Sequence, residues 1–239
     1  MLPLIILTGP TGSGKSETAL ALARKLNTDI ISADSMQVYK YFDIGTAKPS
    51  LAAREEIPHH LIDILEPNQE FNAFSFKARA LSVILKLIKR GKIPILVGGT
   101  GLYIKALIED YDCAEDTSHK TREKIGQDIC EQGVEKIYEE LKRVDPEYAT
   151  KISKTDSLRI ERALAVYLDT GKRFSEFHQN DSPASSRFPI HTFILDRDRA
   201  ELYSQINQRV DKMIKNGLAQ EVKNILDRDY SPKLKPFKS

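Results

Sequence analysis

The sequence predicts an α/β protein: a parallel sheet flanked by helices, carrying an all-helical insert. Three observations point to it. Short apolar runs alternate with helix-patterned stretches in the first half, which is the rhythm of βα units on a parallel sheet. A glycine-rich segment stands between the first run and the first helical stretch. The interval before the last β run then holds helical spacing and no comparable apolar run. Residues 1–111 and 190–239 are therefore expected to form one core and residues 112–189 an inserted helical domain. A chain of 239 residues, 41% apolar and 29% charged, accommodates that plan with a self-supporting core.

In chain order, strands are expected at residues 4–7, 29–33, 60–65, 93–97 and 192–195. Phe74, Ala78, Leu81, Leu85 and Ile88 recur at three and four and stop at Gly91, so a crossover helix is expected there. In the insert, residues 120–132, 134–143 and 157–168 have helical spacing, the last closed by Thr170-Gly171. Leu202, Ile206, Val210, Met213 and Ile214 mark the stripe of a helix ending at Asn216-Gly217, and a final helix runs over 218–228. Residues 230–239, with two prolines and three lysines, look like a loose tail.

Composition narrows the function classes. The net charge is +2 and the insert is net acidic, so any nucleic-acid contact must rest on where individual arginines sit. Cys113 and Cys130 show no CxxC pairing, which leaves free thiols and a cytoplasmic location as the expectation. The first apolar run is too short for a leader or a membrane span. His59-His60 is no metal pair, because neighbours on a strand point to opposite faces.

The strongest chemical signal is Gly9-Pro10-Thr11-Gly12-Ser13-Gly14-Lys15-Ser16, which satisfies G-x-x-x-x-G-K-[ST] between a strand and a helix. Such a loop turns its backbone amides toward an anion, the helix adds its positive end, Lys15 supplies a point charge and the Ser16 hydroxyl suits Mg²⁺. This makes the core P-loop NTPase-like, although it does not say which phosphate is held. Nucleotide hydrolases end a later strand in a carboxylate that helps hold the metal, whereas residues 93–97 lead into Gly98-Gly99-Thr100-Gly101. Glycines there allow either a close backbone approach or simply a tight turn. Asp34, at the end of the second strand, is placed either to accept a proton at the mouth of the sheet or to cap its own loop. Asp156, Arg159 and Arg162 share one side of an insert helix, as a salt-bridged face or a grip on phosphates.

Taken together, Gly9 to Ser16, Asp34-Ser35-Met36-Gln37-Val38-Tyr39, Asp43-Ile44-Gly45-Thr46-Ala47-Lys48-Pro49, Pro58-His59-His60-Leu61-Ile62-Asp63 and Val97-Gly98-Gly99-Thr100-Gly101-Leu102-Tyr103 resemble, in order and spacing, the tRNA dimethylallyltransferase family. Asp156 to Leu164 with Thr170-Gly171, and Leu202-Tyr203 through Met213 with Gly217-Leu218, resemble it too. The resemblance implies transfer of a dimethylallyl group from dimethylallyl diphosphate to the exocyclic amine of the adenosine 3′ of the anticodon. By position it implies that Lys15, Ser16 and the cradle hold the diphosphate, with Arg209 helping to neutralise it and Mg²⁺ as cofactor. It also makes Asp34 the general base and puts Thr100 beside the acceptor nucleotide. Asp34, Ser35, Met36, Gln37 and Thr100 would contact tRNA in the core, and Arg122, Leu158, Arg159, Ile160, Glu161 and Arg162 in the insert. Family members continue with a block resembling Ile-Gly-Tyr-Lys-Glu and a basic helix containing Trp, neither of which occurs in these 239 residues. The expected partners are the tRNA anticodon stem-loop and the isoprenoid diphosphate, with no membrane, and the expected state is a monomer. An adenylate prenyltransferase, a P-loop small-molecule kinase and a catalytically silent tRNA-binding protein are the competing readings.

Overall fold

A computed structural model describes residues 2–109, 117–178 and 188–238. Its contacts separate Met1–Ile108 with Ala184–Ser239 from Glu109–Pro183. These boundaries fall a few residues earlier than those expected from the sequence.

In the first unit, β1 (Leu4–Thr8) is an apolar run bracketed on both sides, and Leu4 and Ile6 are fully buried. With β2 (Ile30–Ser32), β3 (His59–His60), β4 (Ile95–Val97) and β5 (Ile190–Ile194) it forms a sheet of order β3-β2-β4-β1-β5 in which every pairing is parallel. Ile6 stands opposite Leu96 on one side and Thr192 on the other. Parallel neighbours require crossovers, and α1 (Lys15–Leu26), α2 (Leu51–Glu56), α3 (Ala73–Lys89) and α4 (Gly101–Ile108) lie between the strands in sequence. After β5 come α9 (Arg199–Lys215) and α10 (Leu218–Leu226), numbered here after the four helices of the second unit.

Several expectations are corrected. The third strand is two residues long and does not reach residue 65, because Leu61 (φ 65°) and Asp63 (φ 56°) adopt left-handed backbone that ends the ladder. Only an isolated parallel bridge joins Tyr39 to Leu65. The crossover helix exists, but it buries Phe76, Ala80, Ile84 and Leu87, leaving Phe74 and Leu85 exposed. Two stripes at helical spacing coexist on that helix, and spacing alone does not choose between them. On α9, Leu202, Ile206 and Met213 are half-buried while Val210 and Ile214 are exposed. The tail is anchored. Tyr230 Oη donates to Glu66 (2.8 Å), Lys235 Nζ to the Phe71 carbonyl (3.3 Å), and Phe237 packs edge-on against Phe42. The helices α2 and α4 had no clear sequence signal.

At the start of β2 the buried carboxylate of Asp29 accepts from Lys92 Nζ (2.7 Å) and His60 Nε2 (3.0 Å). Burial raises its pKa, but the bonds from Lys92 and His60 outweigh that and leave it below the usual value. A depressed carboxylate supplies stability above its unfolded pKa and loses it as pH falls through the folded one. Asp29→Asn is therefore expected to cost about 2–3 kcal/mol at pH 7, since Lys92 loses its buried partner. Below about pH 4, denaturant titration should find that difference shrinking.

The second unit holds α5 (His119–Gln132), α6 (Val134–Val144), α7 (Pro146–Ala149) and α8 (Ser157–Thr170), closed by left-handed Gly171. Its core is Ile125, Ile137, Leu141, Ala149, Ile160, Ala163, Leu164 and Ala165. Buried Asp145 ties the unit together, with Oδ1 capping α7 at Tyr148 N and Oδ2 accepting from Ser175 N. Cys130 is an exposed free thiol, and Cys113 lies outside the described residues. No helix among the described residues is long and apolar enough to cross a membrane.

Candidate active site

The glycine-rich segment leads from β1 into α1, as its motif requires. Gly9 has φ 142°, and a Cβ there would stand 2.1 Å from the Leu195 carbonyl oxygen, so no other residue fits. Gly14, at φ 92°, is the N-cap and offers no side-chain bond, leaving the first-turn amides of α1 open to an anion. Ser13 is buried and its Oγ has no partner among the described residues.

Lys15 Nζ rests on the carbonyls of Gly9 (2.7 Å) and Pro10 (2.6 Å). Burial lowers its pKa, the positive charge of Arg209 lowers it further, and Asp34 opposes both in part. A partly desolvated ammonium beside a second cation is a place where an anion gains much and loses little. Among the described residues, neither Arg197 nor Arg209 uses its guanidinium in a hydrogen bond or ion pair, and both line the cavity described below.

At the end of β2, Asp34 Oδ1 accepts from the backbone N–H groups of Met36 (2.8 Å) and Gln37 (3.2 Å). Its Oδ2 accepts from no described residue. The capping and proton-accepting readings of Asp34 therefore coexist on different oxygens of one carboxylate. Ser35 N donates to Thr100 Oγ1 (3.1 Å), which leaves the Thr100 O–H free to donate elsewhere and links the ends of β2 and β4. The glycines after β4 serve a close approach between strands: a Cβ on Gly98 would stand 2.1 Å from the Ala33 carbonyl oxygen. Gln37 spends its side chain within the protein, accepting from Ser32 Oγ (3.0 Å) and donating to Thr46 O (3.2 Å).

These groups meet at a cavity of about 320 Å³ lined by Thr11, Gly12, Gly14, Lys15, Ser16 and Asp34, with Ile30, Ile62 and Val97 on its apolar walls. Gly9, Pro10, Ser13, Ser35, Met36 and Thr100 are not among its lining residues. A second cavity, of about 610 Å³, lies across the loop 43–49 and shares Ala47, Pro49, Gln205 and Arg209 with the first. Four further lining features carried no role in the sequence. Arg197 and Gln205 follow β5, the 46–49 loop belongs to a quoted block, and His59 sits on β3 with Nδ1 at the Ile57 carbonyl and burial lowering its pKa. The Ser16 hydroxyl is a hard oxygen donor suited to Mg²⁺. Among the described residues no cluster of three or more His, Cys, Asp or Glu could hold a metal without ligands from elsewhere.

In the second unit, Asp156 caps α8 and pairs with Arg159, whose side chain is 66% exposed. Leu158 is exposed, Glu161 half-buried, and Arg162 Nη1 donates to Thr117 Oγ1 (3.2 Å). Arg122 Nη2 donates to the Thr117 carbonyl (3.1 Å). Ile160 corrects an expectation: it is fully buried in the unit's core, so its side chain has no surface to offer a nucleic acid.

Comparison with known proteins adds an independent line. The family model described as IPP transferase matches residues 37–239. The chain is 46% identical over 236 residues to a tRNA dimethylallyltransferase of Alkaliphilus metalliredigens, covering 98% of this chain and 75% of that protein. It is 44% identical to one of Aquifex aeolicus, covering 96% and 74%. Among solved structures, a tRNA delta(2)-isopentenylpyrophosphate transferase of Staphylococcus epidermidis is similar at TM-score 0.65 and 36% identity, over all of this chain and 78% of that one. A eukaryotic dimethylallyltransferase described as acting on tRNA is similar at TM-score 0.82 and 33% identity, over all of this chain and 59% of that one.

Proposed function

Because the chain belongs to the IPP transferase family of tRNA dimethylallyltransferases, we propose that it transfers a dimethylallyl group from dimethylallyl diphosphate to the exocyclic amine of the adenosine 3′ of the anticodon, releasing diphosphate. The observation that carries the reading is one cavity onto which an anion cradle and the carboxylate of Asp34 both open, between apolar walls. Prenyl transfer needs all three. A nucleotide hydrolase would need a carboxylate at the end of β4, where this chain has glycine.

In this reading the cradle amides, Lys15 and Arg209 hold the diphosphate, and the allylic carbon lies over the apolar wall. The amine nitrogen bonds to that carbon as the carbon–oxygen bond breaks, the bonding pair leaves with diphosphate, and the amine proton passes to Asp34 Oδ2. The Ser16 hydroxyl would hold Mg²⁺, which would supply charge neutralisation for the diphosphate. Thr100, with Ser35 and Met36, lies beside the acceptor, and Gln37 shapes that wall through the loop it braces. The target base is stacked within a loop and must be extruded to react, so a separate grip on tRNA is required. Arg122, Arg159 and Arg162 of the second unit, with Leu158 and Glu161 beside them, are its candidates.

Arg159→Ala is expected to raise the tRNA KM and to reduce the slope of log K against log salt by about one, as one lost phosphate contact should. An equal loss on a minimal acceptor without a stem would instead mark Arg159 as a structural partner of Asp156. The reading itself is tested with an acceptor series under labelled dimethylallyl diphosphate. Label is expected in full tRNA and the anticodon stem-loop but not in AMP, whereas label in AMP alone would make the chain an adenylate prenyltransferase.

A further inference from the structure

The loop 43–49 is a wall of the candidate site and not a passive connection: Thr46, Ala47 and Pro49 line the first cavity, and Ala47 and Pro49 also line the second. Its far end is held from inside the unit by Lys48, whose side chain is 1% exposed and whose ammonium donates to the Tyr39 carbonyl (2.7 Å), Asp43 (2.9 Å) and Asp63. Its near end is held from α10. Glu221 Oε2 accepts from the backbone N–H groups of Asp43 (2.8 Å) and Ile44 (2.7 Å), and Oε1 accepts from Gly45 N (2.9 Å). Three consecutive amides converging on an anion form a nest, and here the protein fills the nest with its own carboxylate. The Thr46 carbonyl just beyond it takes the Gln37 side-chain amide, and Gln37 N is one of the two donors that orient Asp34.

We propose that Glu221 is a positioning residue for the transfer reaction: it clamps the 43–45 amides so that the following carbonyls fix Gln37, and through Gln37 the turn that aims Asp34. The inference rests on the transfer reaction proposed above. The donor's diphosphate is held by elements outside this chain of bonds, so loss of the clamp acts on turnover and spares donor affinity. The three bonds also make the clamp specific to an acceptor. Glutamine has the size of glutamate but would present an N–H group to amides that already donate, so the isostere fails where simple packing would tolerate it.

The test compares wild type, Glu221→Gln and Glu221→Asp by amide hydrogen exchange and by single-turnover transfer at saturating donor. In the Gln variant, exchange in peptides spanning 43–47 is expected to speed up about tenfold or more, with α3 and α5 unchanged. Turnover is expected to fall at least about tenfold while the donor dissociation constant stays within about twofold. The Asp variant, which keeps both oxygens, should recover part of both effects. Unchanged exchange in the Gln variant overturns the clamp. Faster exchange with wild-type turnover overturns the positioning role. If wild type makes no prenylated product, the transfer reading fails and the role falls with it, while the exchange data still report separately on the clamp.

Discussion

Asp34→Asn is expected to lower single-turnover transfer by roughly 10²–10⁴, the usual span for a general base, while donor and tRNA binding stay within a few fold. The geometry makes the substitution discriminating. Asn keeps an Oδ1 that accepts from Met36 N and Gln37 N, so the turn after β2 survives. What it loses is Oδ2, which accepts from no described residue and becomes an N–H donor unable to take a proton. A capping role alone predicts a nearly silent variant, because Asn caps as well as Asp. A near-wild-type single-turnover rate would remove Asp34 from the chemistry.

Lys15→Ala should raise the donor dissociation constant about 10- to 100-fold, the effect of deleting one charged hydrogen-bond donor to an anion. The variant also loses the bonds from Lys15 Nζ to the Gly9 and Pro10 carbonyls, so thermal stability should fall by about 1 kcal/mol per bond at most, with the left-handed turn itself kept by its glycines. A pH signature accompanies the loss. Burial and the neighbouring charge of Arg209 hold the Lys15 ammonium below the ordinary lysine value, and only the protonated form attracts the diphosphate. Wild-type donor affinity should therefore weaken on the alkaline side, starting below the pH where an ordinary lysine titrates, and the Ala variant should lack that limb. Calorimetric titration of the donor between pH 7 and 10 reads both effects. Equal alkaline limbs in the two proteins would mean that Lys15 does not hold the anion.

Features written in contiguous residues are legible in the sequence. The segment from Gly9 to Ser16 carries its own turn, cap and charge, so strand, cradle and helix follow from eight positions. For Asp34 the sequence leaves a choice between two roles, and the carboxylate has one oxygen engaged by Met36 N and Gln37 N and one that accepts from no described residue. Features that depend on which face meets which neighbour were not legible. Phe74 and Leu85 satisfy helical spacing as well as Phe76, Ala80, Ile84 and Leu87 do, and it is packing in the fold, with Phe76 stacked on Tyr103 of α4, that decides. Ile160 reads as part of an exposed block with Arg159 and Arg162, yet its position on α8 turns it into the core. Glu221 has no sequence signal linking it to Asp43, from which it is 178 residues distant, and Arg197 reaches the cavity only because β5 lies beside β1. The tail at 230–238 looked loose by composition, and it is aromatic and charged partners far back in the chain that hold it.

In the proposed reaction the cradle serves an isoprenoid diphosphate and the acceptor is an adenosine in tRNA. The most direct measurement incubates the protein and Mg²⁺ with an unmodified tRNA carrying adenosine 3′ of the anticodon, in the presence of either dimethylallyl diphosphate or ATP, followed by nucleoside digestion and mass analysis with diphosphate assayed in parallel. The expected result is N6-dimethylallyladenosine at that one position, one diphosphate released per modified nucleoside, and no product from ATP. Turnover of ATP without any prenylated nucleoside in the dimethylallyl diphosphate arm would contradict it.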